Sequence, residues 1–228
     1  MGESYNAAVD MVDRNVAQGR SGKVAFIDPA RRLSYGELAE QCARVAPMLA
    51  RLGLQREDRV AMMALDTVDF PVLFWGAIRA GIIPVPLNTL LNPEQYRYIL
   101  EDARAKVLFV SAPLLVVAQQ ATAGLDLTIV VIGEPSNGLP RFDQLLAAER
   151  SGAQPAKTSP DEVAFWLYSS GSTGMPKGVR HVHASAMETA KLYAQGVMGI
   201  REDDVVYSAA KLFFAYGQIG RASCRERV

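Results

Sequence analysis

The 228-residue chain has only two cysteines, Cys42 and Cys224, and only two histidines, His181 and His183. The cysteines stand far apart and form no Cys-x-x-Cys pattern. That excludes a disulfide-built scaffold and a cysteine-rich zinc site, and it predicts a reducing compartment. The histidines, one residue apart, would share a strand face, but the spacing supplies no third Cys, His or carboxylate, so no metal site is expected. Net charge is missing as well, because 24 Lys and Arg balance 24 Asp and Glu. A general nucleic-acid binder or a membrane-surface protein would carry a one-sided charge. No apolar run reaches the length needed to cross a bilayer. The opening "MGESYNAAVDMVDRN" places acidic and polar residues where a signal peptide needs an apolar core, and Asn6 breaks the myristoylation pattern. A soluble cytoplasmic protein is expected.

What the sequence does have is apolar material, half of all residues, arranged in a repeated strand–helix rhythm. Short apolar stretches at 23–28, 59–64, 82–87, 106–111 and 127–133 read as strands. Helical patterns cover 34–53, 67–81, 92–105, 113–123 and 141–152. Ser34 and Glu37 form a capping-box signature at the start of the first helix, and Pro47 inside it predicts a kink or local irregularity. Thr67 is the expected cap of the second helix. Asn92 with Pro93 opens the third. This alternation predicts an α/β fold with mainly parallel sheets flanked by helices, whose ligands bind at loops leaving the carboxyl ends of strands. The polar stretch 151–162, with two prolines, reads as a linker between subdomains. Beyond it come a strand at 163–168, a glycine-rich loop, a short strand at 178–181, a helix at 184–195 and a strand at 204–209.

The loop "YSSGSTGMPKGV" (168–179) follows the apolar run "VAFWLY" directly. Glycines such as Gly171 and Gly174 let backbone amides turn toward an anion with no Cβ in the way. The hydroxyls of Ser169, Ser170, Ser172 and Thr173 can donate to phosphate oxygens, Thr173 can also ligate a metal, and Lys177 adds a positive charge. Together they describe a polyphosphate cradle, against the plainer alternative of a polar surface loop. The order Met175-Pro176-Lys177-Gly178 is not that of a Walker A motif, which disfavours a Walker-type kinase or GTPase.

This segment resembles the phosphate-loop signature of the adenylate-forming superfamily, the acyl-CoA synthetases, luciferases and peptide-synthetase adenylation domains. "LSYGEL" (33–38) and "GAIRAGIIPVPLN" (76–88) resemble two further motifs of that superfamily, expected to build the sheet rather than to touch substrate. "FWLYSSGSTGMPKGV", "HVHAS" and "SAAKLFFAYG" are most similar to the benzoate–CoA ligase branch, over residues 5–217. The resemblance implies an acid–thiol ligase. ATP and an aromatic carboxylate form an acyl adenylate and pyrophosphate with Mg²⁺ present, and coenzyme A then displaces AMP.

In that reading Thr173 and Lys177 are catalytic through the departing pyrophosphate, and Ser169 to Gly174 with Lys177 hold the nucleotide. Phe214 lines the carboxylate site, with Ala215 and Tyr216 against the ring. Phe213 is expected merely to pack. Tyr193 is expected to face the acyl site from the helix at 184–195, and His183 to orient the start of that helix beside the pocket. Arg180 stands where relatives are expected to carry a neutral or apolar residue. The resemblance implies a partial N-terminal AMP-binding domain over 1–217. The magnesium-holding glutamate loop, the ribose-binding aspartate and the small C-terminal domain have no counterpart here, so the chain alone is not expected to complete the ligation. The tail 218–228, "QIGRASCRERV" after Gly217, reads as foreign or frame-shifted. Two rival functions stand beside the leading one: an aliphatic acyl-CoA synthetase of the same superfamily, and a non-catalytic nucleotide- or acyl-binding module.

Overall fold

A computed structural model describes residues 4–169, 175–202, 204–206, 210–214 and 225–226. Its centre is a four-stranded parallel sheet of β3 (Arg59–Met63), β4 (Ile83–Pro86), β5 (Val107–Ser111) and β6 (Thr128–Ile132). The spatial order is β4-β3-β5-β6. Each strand is short and apolar because both of its faces are covered. Val60 and Met62 of β3, with Val107 and Phe109 of β5, enter one core cluster. Ala61 and Met63, with Leu108 and Val110, enter the other. The two-residue period of a strand thus divides an apolar run between two cores.

The helices are those the periodicity anticipates. α2 (Tyr35–Arg51) and α3 (Asp69–Arg79) pack on the first face; α4 (Pro93–Asp102) and α5 (Leu115–Thr122) cover the second. Capping boxes start α2 at Ser34 and Glu37, and α4 at Asn92 and Gln95. α2 runs on through Pro47 as one helix. Gly76 lies where α3 crosses α2, and a Cβ there would come within 2.5 Å of the Val45 side chain. The "GAIRAG" segment, expected to build the sheet, thus also makes a close contact between α3 and α2.

Thr67 does not cap α3. Its hydroxyl is buried with no partner among the described residues. Asp28 reaches across instead, from the turn between β1 (Val24–Ile27) and β2 (Arg32–Ser34), and accepts the Val68 amide at 2.8 Å. Burial pushes the Asp28 carboxyl up, but the amides of Val68, Arg31 and Ala30 outweigh it and hold the group below its ordinary range.

Other departures have local causes. β1 and β2 form an antiparallel pair, and β2 had no strand signature of its own. The N-terminal segment winds into a π-helical turn (Val9–Asp13) and α1 (Arg14–Ala17), because Ala7, Ala8, Met11 and Val12 bury in the first core. α6 covers only Phe142–Ala147, since Phe142 and Leu146 are its only buried residues. Residues 151–162 contain no helix or strand, yet they are strapped down: Ala156 N–H donates to Arg79, and Tyr5 and Thr158 exchange two hydrogen bonds. At the far end, β9 (Val205–Val206) pairs in parallel with β10 (Arg225–Glu226), inside the tail that reads as foreign.

Candidate functional site

The glycine-rich loop closes an antiparallel hairpin of β7 (Val163–Ser169) and β8 (Lys177–Val182). Its register sets Ser169 opposite Lys177 and Tyr168 opposite Gly178. The two residues foreseen as phosphate ligands therefore stand opposite each other at the ends of the hairpin strands, and both are exposed. Lys177 makes no ion pair among the described residues. Its charge is available to an incoming anion.

Both faces of the hairpin are anchored. Phe165 packs edge-on to Phe74 of α3 at 5.4 Å and stacks on His181 at 4.6 Å. On the other face the Arg59 guanidinium lies 5.9 Å above the Trp166 ring. Tyr168 donates its hydroxyl to Asp102 at the end of α4. Burial, with the Asp102 carboxylate beside it, pushes the Tyr168 phenol up, so it stays a donor. Gly178 has no side chain for a local reason: a Cβ would sit 3.0 Å from the Tyr168 ring. The strand that leads into the loop is thus anchored on both faces as far as Tyr168.

The remaining predicted site residues are distributed as follows. Ser170, Gly171, Ser172, Thr173, Gly174, Ala215 and Tyr216 lie outside the described residues. Phe213 is buried, as a packing residue should be, and its ring meets that of Phe214 at 4.5 Å. Phe214 is 40% exposed, and Tyr193 is 52% exposed within a π-helical segment (Ala190–Gln195) that continues α7 (His183–Thr189). His183 opens α7 but is buried, and its Nδ1 accepts the Ala7 amide at 3.0 Å. Burial pushes its pKa down to about 4, so the ring is neutral. Arg180 is exposed on β8, opposite Trp166.

One residue of this region escaped the sequence reading. Asp66, in the segment between β3 and α3, accepts the Leu212 amide at 3.0 Å, with Lys211 Nζ 3.6 Å from its other oxygen. β3 and β5 flank the point where the strand order reverses, and ligand sites of open α/β sheets form there. Only the strand order, which the sequence does not display, would have singled Asp66 out.

Among the described residues no group of three or more His, Cys, Asp or Glu side chains could hold a metal ion. Ser169 and Lys177 leave a hydroxyl-bearing and an ammonium-bearing residue exposed where β7 and β8 meet the glycine-rich segment. The family model for AMP-binding enzymes matches residues 12–223. The chain belongs to the AMP-binding enzyme family. This AMP-binding chain is 59% identical over 215 residues to the 4-hydroxybenzoate–CoA/benzoate–CoA ligase of Rhodopseudomonas palustris, covering 93% of itself and 40% of that protein. It superimposes on a benzoate CoA ligase from Burkholderia xenovorans LB400 with a TM-score of 0.90 at 39% identity, over 98% of this chain and 45% of that one. It superimposes on the anthranilate CoA ligase AuaEII in complex with anthranoyl-AMP with a TM-score of 0.93 at 33% identity, over 99% and 45%. The chain thus spans about two fifths of the length of the curated relative it matches.

Proposed function

We propose that this chain forms the nucleotide- and acid-binding part of an ATP-dependent aryl–CoA ligase. The observation that carries the reading is the Ser169–Lys177 pair at the mouth of the glycine-rich loop in an AMP-binding chain. Attack of a carboxylate on the α-phosphorus of ATP needs no protein nucleophile. The carboxylate oxygen forms a bond to phosphorus, the bond to the β-phosphate bridging oxygen breaks, and pyrophosphate leaves with that electron pair. Two demands remain. Charge must be neutralised on the leaving pyrophosphate, and two mutually repelling anions must be aligned. Lys177 and the loop hydroxyls Ser169, Ser170, Ser172 and Thr173 serve the first. Mg²⁺ bound with the nucleotide would add further neutralisation. Phe214, Ala215 and Tyr216, with Tyr193, serve the second by holding the ring of the acid, while His183, buried and bonded to the Ala7 amide, orients the start of α7. Coenzyme A thiolate then takes the acyl group from the adenylate and releases AMP.

The relatives named above act on benzoate, 4-hydroxybenzoate and anthranilate, which supports a flat aryl pocket here. The test is ATP–pyrophosphate exchange by an intact ligase carrying this sequence. Benzoate or a simple substituted benzoate should stimulate exchange, whereas octanoate should not. Strong stimulation by octanoate would establish the aliphatic reading. Nucleotide binding with no exchange for any acid would leave only a binding module.

A further inference from the structure

We propose that Asp66 is a positioning residue for the acyl pocket. It fixes the tight turn that presents Phe214, and thereby sets affinity for the aryl acid. The proposal rests on the aryl–CoA ligase reading given above. Residues Lys211–Phe214 form a turn, because the Phe214 amide donates to the Lys211 carbonyl at 3.1 Å. That internal bond leaves the Leu212 amide pointing away from the turn, and Asp66 accepts it at 3.0 Å. Leu212 and Phe213 are buried on the core side, so the next side chain in the turn, Phe214, is the one left facing out at 40% exposure. A bond to the second residue of a turn fixes the orientation of the whole turn. Phe214 inherits that orientation.

Asp66 is itself held from behind. The preceding residue, Leu65, donates its amide to Ser111 Oγ at 3.0 Å, and Ser111 ends β5. The carboxylate therefore stands next to a bridge between the carboxyl ends of β3 and β5. Its side chain is only 9% exposed, so water competes poorly for the Leu212 amide. Lys211 contributes less. Its side chain is 57% exposed and 3.6 Å away, the geometry of a weak surface ion pair. The amide bond, rather than the ion pair, is what locates the pocket.

The experiment compares Asp66→Ala, Asp66→Asn and Lys211→Met in the intact ligase carrying this sequence, with KM for benzoate, KM for ATP and kcat measured separately by pyrophosphate exchange. Asp66→Ala should raise the benzoate KM on the order of tenfold or more, with the ATP KM changed less than about twofold, the scale of one charge-assisted hydrogen bond lost from a single subsite. Asp66→Asn keeps an acceptor oxygen and should restore most of the affinity. Lys211→Met should resemble the parent. Amide hydrogen exchange on the full 228-residue chain gives a second readout: the Leu212 amide should exchange faster in Asp66→Ala while the amides of β5 stay protected. An unchanged benzoate KM in Asp66→Ala, or failure of Asp66→Asn to rescue, overturns the proposal. Equal rises in both KM values would show a general folding role and overturn it too. If the parent shows no aryl-acid-dependent exchange, the functional reading fails instead, and the hydrogen-exchange comparison still tests the clamp.

Discussion

His183 Nδ1 accepts the backbone amide of Ala7 at 3.0 Å, joining residues 176 positions apart in the chain. The bond requires a neutral ring with its proton on Nε2. Burial enforces that state by lowering the pKa from its ordinary 6.5 to about 4. Between those values the unfolded chain binds a proton that the folded chain refuses. Stability should therefore fall as pH drops below about 6.5, and the loss should level off near pH 4 at roughly 3 kcal/mol or less. Urea unfolding of the chain at several pH values measures this. His183→Asn, whose Oδ1 can replace Nδ1 as acceptor, should flatten the profile between pH 6.5 and 4; an unchanged slope in that variant would assign the effect to other groups.

Gly76 and Val45 set the spacing of α3 on α2. A Cβ at position 76 would overlap Val45 Cβ and Cγ2 at 2.5 Å, and Val45 is fully buried and β-branched, so it has little room to turn aside. Gly76→Ala gains helix propensity worth up to about 1 kcal/mol but should still destabilise by roughly 1–3 kcal/mol. Val45→Ala in the same chain opens space. The double variant should be less destabilised than the sum of the two single ones, as a double-mutant cycle would register. Additive losses would mean that the two side chains do not meet.

The two helix starts make a contrast. Ser34 accepts the Glu37 amide and donates to the Glu37 carboxylate, so Ser34→Ala should cost about 1 kcal/mol. Thr67 has no hydrogen-bond partner for its buried hydroxyl among the described residues. Thr67→Val keeps the shape and removes an unsatisfied polar atom, so it should be neutral or slightly stabilising. Thermal unfolding of both variants checks the pair. A loss at position 67 as large as at position 34 would mean that the Thr67 hydroxyl does cap α3.

Lys177 is exposed and makes no ion pair among the described residues, so its removal should leave the melting temperature of the chain nearly unchanged. In the intact ligase, Lys177→Ala should slow adenylate formation on the order of 10²-fold while thioester formation from a preformed adenylate changes much less. Equal losses in both half-reactions would point to a role other than stabilising the pyrophosphate.

Much of this protein was already decided along the chain. The capping boxes at Ser34 and Asn92, the strands from β3 to β6 and the loop between Ser169 and Lys177 each depend on residues within a few positions of one another. Local periodicity and turn chemistry suffice to specify such features. Tertiary structure alone decided the rest. Asp28 displaced Thr67 at the head of α3 because a carboxylate from a distant turn reached the Val68 amide. The short N-terminal turns exist because Met11 and Val12 find a core made by α2 and α3. His183 became a fully buried acceptor, and Asp66 acquired its partner Leu212, only when segments 146 or more positions apart were brought together. Hydrogen bonds of that kind follow from which strand lies beside which, and strand order leaves no periodic trace in a sequence.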